Sequence, residues 1–210
     1  MRTESAVADA TRESLVQRGR QLEYVTVGYN SLEGLIAILA GLIAGSVALV
    51  GFGLDSVIEV TSGTALLWRL GSDVDQSSRE RAETVSLKIV GVCFLALAVN
   101  VSYNSVTSLI HHNPPERSLP GILLAVASLV VMPLLARAKR RIAKSINSHA
   151  LRADAKQTEF CTYLSAILLA GLLLNAFWGW WWADPMAALL MVPIILKEGI
   201  EALQEQRCCG

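Results

Sequence analysis

Five long apolar stretches, separated by short polar segments, dominate this sequence. The first covers residues 25–70 and is about twice the roughly 20 residues that a helix needs to cross a bilayer. We therefore expect it to fold back near residues 51–53 and to form two helices. Lys197 and Glu198 interrupt the last stretch, so its final turns are expected to emerge into water. The pattern predicts an all-α integral membrane protein, a six-helix transmembrane bundle whose other four helices cover residues 89–110, 119–136, 150–177 and 185–203.

The polar segments predict how this bundle is oriented. Lys and Arg concentrate before the first helix, after the second and after the fourth, whereas the turns at residues 51–53 and 178–184 have neither. Positively charged connections stay in the cytoplasm, so both termini are predicted to be cytoplasmic, in a multi-pass protein of the cell (inner) membrane. The chain then divides into an N-terminal cytoplasmic segment (1–23), a six-helix membrane domain (24–204) and a short cytoplasmic tail (205–210). No C-terminal regulatory domain is expected.

Tryptophans mark the turn before the sixth helix. Trp178, Trp180, Trp181 and Trp182 cluster there, and indole rings favour the headgroup region of a bilayer. Pro185 is expected to open the sixth helix, with Asp184 placed to cap its free amides.

Composition excludes several classes of protein. Charged residues make up 17% of the chain, against about 25% in an ordinary soluble domain. Eighteen basic residues balance eighteen acidic ones, so charge gives no reason to expect a nucleic-acid partner. Four scattered cysteines do not form a disulfide framework and are expected to be free thiols. No nucleophile or metal-bound water with a general base is apparent outside the site described next, so an enzyme is not expected.

Asp55 and Glu59 are the most informative residues, because ionisable groups inside a bilayer are costly unless paired or wet. They lie four residues apart in the second helix and therefore on one face, with about 5 to 6 Å between their Cβ atoms. Two carboxylates this close repel each other unless a cation or a proton neutralises them. The pair thus predicts a metal site or a proton carrier, and the alternative is a helix-end pair that reaches water.

Further polar residues occupy the first and fifth helices. Gln157 and Cys161 have the same four-residue spacing, with Asp154 one turn earlier on the same side. Their oxygen and sulfur atoms could complete a four-coordinate shell with Asp55 and Glu59 if the two helices face each other. A buried cysteine is, however, more often a small hydrophobe than a ligand. Asn30 and Glu33 are expected to point into the bundle, as a proton relay or as a hydrogen-bonded packing pair.

Two other groups have weaker claims to metal binding. His111 and His112 fall in the loop after the third helix and fit solvated residues better than a metal site, because a third ligand is lacking. Cys208 and Cys209 end the chain and could hold a soft cation or a lipid.

Three segments resemble one family. They read GLIAILAGLIAGSVALVGFGLDSVIEVTSG from Gly34, HALRADAKQTEFC from His149 and GWWWADPMAALL from Gly179, and they are similar to the transmembrane domain of the cation diffusion facilitators. The resemblance implies a six-helix membrane domain, usually a homodimer, whose second and fifth helices each give two polar residues to a tetrahedral site for zinc or a related ion. It also implies exchange of the metal ion against protons.

Carried over to this chain, the resemblance places the metal ligands at Asp55, Glu59, Gln157 and Cys161. The second-helix pair keeps its acidic character, with Glu59 where Asp is usual. The fifth-helix pair departs, because Gln157 and Cys161 stand where His or Asp and then Asp are usual. A thiol in place of a carboxylate favours softer ions such as cadmium, mercury or cuprous copper without excluding zinc.

The function that follows is efflux of a divalent metal cation, by metal/proton antiport, with the lipid bilayer as surroundings and no resident cofactor. The alternative is a membrane metal-binding, sensor or assembly protein that keeps the fold without transporting.

Overall fold

The computed structural model describes residues 2–71, 76–145 and 149–204. The described part of the chain contains no strand. It forms six helices: α1 (Arg2–Ala44), α2 (Val47–Gly71), α3 (Gln76–His111), α4 (Leu119–Ser145), α5 (His149–Trp178) and α6 (Ala183–Gln204). The predicted all-helical bundle is confirmed.

The turn between α1 and α2 lies earlier than expected. It is formed at Gly45, which has a φ of 65°, a left-handed conformation that glycine adopts without steric cost. The prediction of a turn at residues 51–53 was wrong, because these glycines lie inside α2. Gly53 instead permits close approach of α1: a Cβ at this position would lie 2.7 Å from Ile38 Cγ1 and 2.9 Å from Ile38 N.

Five of the described helices contain a stretch long and apolar enough to cross a membrane. These stretches are Ser14–Ala44, Val47–Leu67, Gly91–His111, Leu119–Ser145 and Asp154–Trp178. The predicted sixth span, α6, is absent from this set because it carries Asp184 at its start and Lys197, Glu198 and Glu201 near its end. It nevertheless packs against α3 and α5 and buries Ala188, Met191 and Ile195 in the common core.

Several helices continue beyond the predicted apolar stretches. Residues 2–23, predicted as a separate segment, are the first part of α1, and their cytoplasmic location remains a prediction. At the same end of the fold, α4 continues to Ser145. Lys139, expected in a basic loop, is therefore a helical residue, and it is completely buried.

The arrangement of the helices places α2 at the centre. It contacts α1, α3, α5 and α6, whereas α4 contacts α1 and α5. One face of α2 buries Leu49 and Phe52 in the main core. Polar residues on α2 can therefore meet residues of α1 and α5 away from lipid.

Three connections meet at one end of the bundle, which we call the aromatic end. Glu116 N donates to Ala44 O at 2.7 Å, the rings of His112 and Trp181 have centroids 4.9 Å apart, and Trp180 stacks on Trp182. The opposite end, which we call the basic end, carries the last turns of α4, with Arg137, Arg140, Arg141 and Lys144 exposed.

The sequence predicts that Asp184 caps its own helix, but its side chain binds the start of α2 instead. Its carboxylate accepts hydrogen bonds from Ser46 Oγ, from Val47 N at 2.9 Å and from Ala48 N at 3.4 Å. The first amides of a helix have no partner within that helix. Asp184 therefore caps α2 from α6 and joins the two helices at the aromatic end.

Candidate metal centre

Three side chains converge in the middle of the bundle. Asp55 and Glu59 project from adjacent turns of α2, and Cys161 projects from α5. All three are buried, and one ligand atom from each lies within 4.8 Å of the others. The structure thus brings together both predicted carboxylates and the predicted thiol, across the contact between α2 and α5.

The spacing of these atoms suits a small metal ion. Zinc binds sulfur at about 2.3 Å and carboxylate oxygen at about 2.0–2.2 Å, so its tetrahedral ligand atoms lie about 3.5 Å apart. Starting from separations of up to 4.8 Å, movements on the order of 1 Å would bring the ligand atoms to this distance. Such movements are within the reach of side-chain torsions.

The predicted fourth ligand, Gln157, lies one turn from Cys161 on α5. Its side chain is partly buried, and its Nε2 is buried without a hydrogen-bond partner among the described residues. Nε2 is a hydrogen-bond donor, so a metal ligand at this position would be the amide oxygen of Gln157. Its role as a ligand remains a prediction.

Asn30 and Glu33 supply a polar layer from α1, and both point into the bundle as expected. Asn30 Nδ2 donates to Glu59 Oε2 at 2.6 Å. Glu33 accepts hydrogen bonds from Ser56 Oγ at 2.9 Å and from Ser128 Oγ. Glu33 therefore links α1 to α2 and α4 beside the three converging side chains, which is compatible with both predicted roles.

Asp154 lies earlier in α5, one turn before Gln157, and pairs with a lysine. Its Oδ2 is 2.6 Å from Lys139 Nζ, and the same ammonium is 3.0 Å from Glu23 Oε2. In the structure Asp154 contacts Lys139, and a supporting role for Asp154 beside the metal ligands stays a prediction.

Sequence reasoning overlooked the hydroxyl groups around Glu33 and the burial of Lys139. Serine hydroxyls in membrane helices commonly bond to their own backbone, so nothing in the sequence singles out Ser56 or Ser128. Lys139 did leave a signal. It falls on the helical repeat of the buried face of α4, which also includes Ser128, Met132, Leu135, Ala136 and Ala143.

Other residues considered from the sequence lie elsewhere. His111 and His112 are exposed, in line with solvated loop residues. On α5, Glu159 pairs with Arg140, and Lys156 pairs with Glu201. Cys208 and Cys209 lie outside the described residues.

Comparison with known proteins identifies the family. Residues 24–207 match the model of the cation efflux transmembrane domain. The chain belongs to this family, the cation diffusion facilitators. The resemblance noted in the sequence is confirmed, and the family consists of transporters and not of enzymes.

Relatives of this cation diffusion facilitator chain include proteins from bacteria and an animal. An uncharacterized transporter of Synechocystis is 28% identical over 78% of this chain and 54% of its own length. Transmembrane protein 163 of Xenopus laevis is 26% identical over 88% of this chain and 66% of its own. A cadmium, cobalt and zinc/H(+)-K(+) antiporter of Bacillus subtilis is 25% identical over 60% of this chain and 40% of its own. The chain thus spans between two fifths and two thirds of the length of these relatives.

Proposed function

We propose that this chain transports a divalent metal cation across the membrane and binds it between α2 and α5. The observation that carries the proposal is the convergence of Asp55, Glu59 and Cys161 within 4.8 Å in the buried centre of the bundle. Two carboxylates and a thiol are costly to bury together unless a cation compensates them. Gln157 completes the shell as a fourth ligand.

The ligand set favours a borderline or soft ion. Carboxylate oxygens bind zinc and cadmium, and a thiolate adds preference for cadmium and softer ions. The name of the Bacillus relative includes both cadmium and zinc, which supports these two ions as cargo. We take cadmium as the ion that the thiol favours over zinc.

Binding of the cation is coupled to loss of protons. A thiol must lose its proton before it binds metal, and so must any carboxylic acid in the site. Return of these protons from the other side would make the protein a metal/proton antiporter. Glu33 lies beside the ligands and is hydrogen-bonded to two hydroxyls, which makes it the carboxyl group best placed to relay a proton.

The distribution of basic residues supports an orientation in which the basic end of the bundle faces the cytoplasm. With exchange against protons, the proposed direction is efflux of the cation from the cytoplasm towards the aromatic end, through the cell membrane. The family resemblance supports a homodimer as the assembly.

Transport by purified protein in liposomes tests this function. A metal-sensitive dye and a pH-sensitive dye inside the vesicles would report cadmium or zinc entering and protons leaving. We expect flux from the parent chain and none from Asp55→Asn or Glu59→Gln, because each removes a charged ligand. Glu159→Gln is the matched control, since this exposed carboxylate on α5 lies outside the centre.

Two results would contradict the proposal. Unchanged flux in Asp55→Asn and Glu59→Gln would remove these residues from the ion path. Stoichiometric binding without flux in the parent would favour the alternative of a membrane metal-binding, sensor or assembly protein.

A further inference from the structure

Lys139, Glu23 and Asp154 form a buried charged cluster apart from the metal centre. Lys139 and Glu23 have side chains that are 0% exposed, and Asp154 is 10% exposed. The ammonium lies 2.6 Å from Asp154 Oδ2, 3.0 Å from Glu23 Oε2 and 3.5 Å from Thr158 Oγ1. Three oxygen atoms from α1 and α5 therefore surround one positive charge carried by α4.

This cluster lies between the metal centre and the basic end. On α1, Glu23 is seven residues from Asn30, which touches Glu59; this is about 10 Å along a helix. On α5, Asp154 lies seven residues before Cys161, which is again towards the basic end. An ion moving between the basic end and the centre along these helices passes the cluster.

One carboxylate oxygen of the cluster is available to bind a cation. Glu23 Oε1 is buried and has no hydrogen-bond partner within the described part of the chain. It lies against Gly63, one turn beyond Glu59 on α2, where a Cβ would come within 2.5 Å of it. The second carboxylate oxygen of Glu23 is thus directed towards α2 and accepts no hydrogen bond from the described residues. Any side chain larger than glycine at position 63 would fill the space beside it.

A buried ion pair is weak evidence of stabilisation, because apolar residues of similar size often stabilise a fold equally well. Among the ion pairs of the described residues, one lysine pairs with two carboxylates, so these three groups carry a net negative charge when both carboxylates are ionised. Oxygen atoms of carboxylates and a hydroxyl are also ligands that a divalent cation accepts. The cluster resembles a cation site in which the cation is a lysine side chain.

We propose that Glu23, Asp154 and Thr158 form a transit site for the transported cation, which the ammonium of Lys139 occupies in this conformation. The arriving ion displaces Lys139, passes to Asp55 and Glu59, and Lys139 then returns and closes the path behind it. The inference deepens the proposed function, because it assumes that the centre between α2 and α5 is the destination of the ion.

Removal of the lysine tests the transit site directly. Cadmium binding to the full chain in detergent would be measured by isothermal titration calorimetry for the parent and for Lys139→Met. The vacated carboxylates should bind one additional cadmium ion per chain. Adding Glu23→Gln and Asp154→Asn should abolish the additional ion, whereas adding Asp55→Asn and Glu59→Gln should not. A Lys139→Met chain that binds no more cadmium than the parent would overturn the proposal.

A second variant keeps the test decisive if Lys139→Met alone does not fold. The combination Glu23→Gln, Lys139→Met and Asp154→Asn neutralises the whole cluster at similar volume, which buried ion pairs commonly tolerate. We expect this variant to keep the cadmium affinity of the centre between α2 and α5. It should transport cadmium into liposomes at least about tenfold more slowly than the parent, because charged clefts raise the association rates of ions by about tenfold or more. Transport at the parental rate would overturn the proposal.

The matched control is the double variant Arg140→Met and Glu159→Gln. It neutralises an exposed ion pair between α4 and α5, the helices that carry Lys139 and Asp154. It should transport as the parent does. A parent that fails to transport cadmium would refute the proposed function and with it the transit role, even if Lys139→Met bound the additional ion at Glu23 and Asp154. A parent that transports, together with a neutral cluster variant that transports equally well, would refute the transit site alone.

Discussion

Asn30 on α1 donates a 2.6 Å hydrogen bond to Glu59 on α2, so a neutral amide orients one of the two central carboxylates. Partners of this kind fix the position of a ligand, and their loss commonly lowers metal affinity by about 10- to 100-fold. α1 would thereby contribute to the proposed metal centre through a residue that need not touch the ion.

Substitution Asn30→Ala should therefore weaken cadmium binding by about tenfold, at the lower end of the usual effect of losing such a partner. The measurement is calorimetric titration of the purified chain. Asn104→Ala is the control, because Asn104 is exposed on α3 and bonds to Asn100 of its own helix. Equal affinities in parent and Asn30→Ala would show that Glu59 is held by other contacts.

Cys161 should determine which ion is preferred. Replacing its sulfur by oxygen in Cys161→Ser removes the softest ligand, so cadmium affinity should fall by about tenfold or more and zinc affinity by less. Competition titrations with both ions give this ratio. Cys93→Ser should leave the ratio unchanged, because Cys93 is exposed on α3. A constant ratio in Cys161→Ser would exclude the thiol as a ligand.

Acidic conditions should weaken cadmium binding. The thiol, and any carboxylic acid in the site, must release its proton when metal binds, so a higher proton concentration competes with the ion. We expect the dissociation constant to rise by about one to two orders of magnitude for each unit of decrease in pH over the range in which ligands titrate. Titrations in buffers with different heats of ionisation count the protons released. Affinity independent of pH would contradict metal/proton exchange at this centre.

Close contact between α1 and α2 depends on Gly53. A Cβ there would meet backbone and side chain of Ile38 at less than 3 Å, and overpacking of this kind typically costs about 1–3 kcal/mol. Gly53→Ala should lower the thermal unfolding temperature in detergent. Gly28→Ala is the matched control on α1, because a Cβ at Gly28 meets no atom within 4 Å. Equal losses in both variants would point to a general effect of altering glycine.

The cap that α6 places on α2 should contribute to stability. Asp184→Ala removes the acceptor for Val47 N and Ala48 N, and loss of a helix cap costs about 0.5–2 kcal/mol. Glu116→Ala, an exposed acidic residue at the same end, is the control. A variant with parental stability would mean that the amides of Val47 and Ala48 do not depend on this acceptor.

Much of this arrangement could be predicted from the sequence, because lipid penalises polar groups in any context. Asp55, Glu59 and Glu33 stand out against apolar neighbours, and a spacing of four residues places Asp55 and Glu59 on one helix face. The position of the first turn could not be predicted in this way. Glycine serves both at turns and at close helix contacts, so Gly45, Gly51 and Gly53 look alike until their neighbours in space are known.

The sequence also does not show whether an apolar side chain faces lipid or the interior of the bundle. Ile43 is 81% exposed on α1 and Leu49 is 0% exposed on α2, although both are large aliphatic residues. Lys139 shows the same problem for a charged residue, since a lysine near the end of an apolar stretch normally reaches water. Its burial depends on Glu23 and Asp154, which lie 116 and 15 residues away in the chain.

The bond between Ser46 and Asp184 joins residues 138 positions apart. During synthesis the second helix enters the membrane long before the ribosome has made the carboxylate that caps it. Until Asp184 emerges, the amides of Val47 and Ala48 lack this acceptor. The aromatic end is therefore completed only after α6 has been made and packs against α2, which makes it a late step in the biogenesis of this bundle.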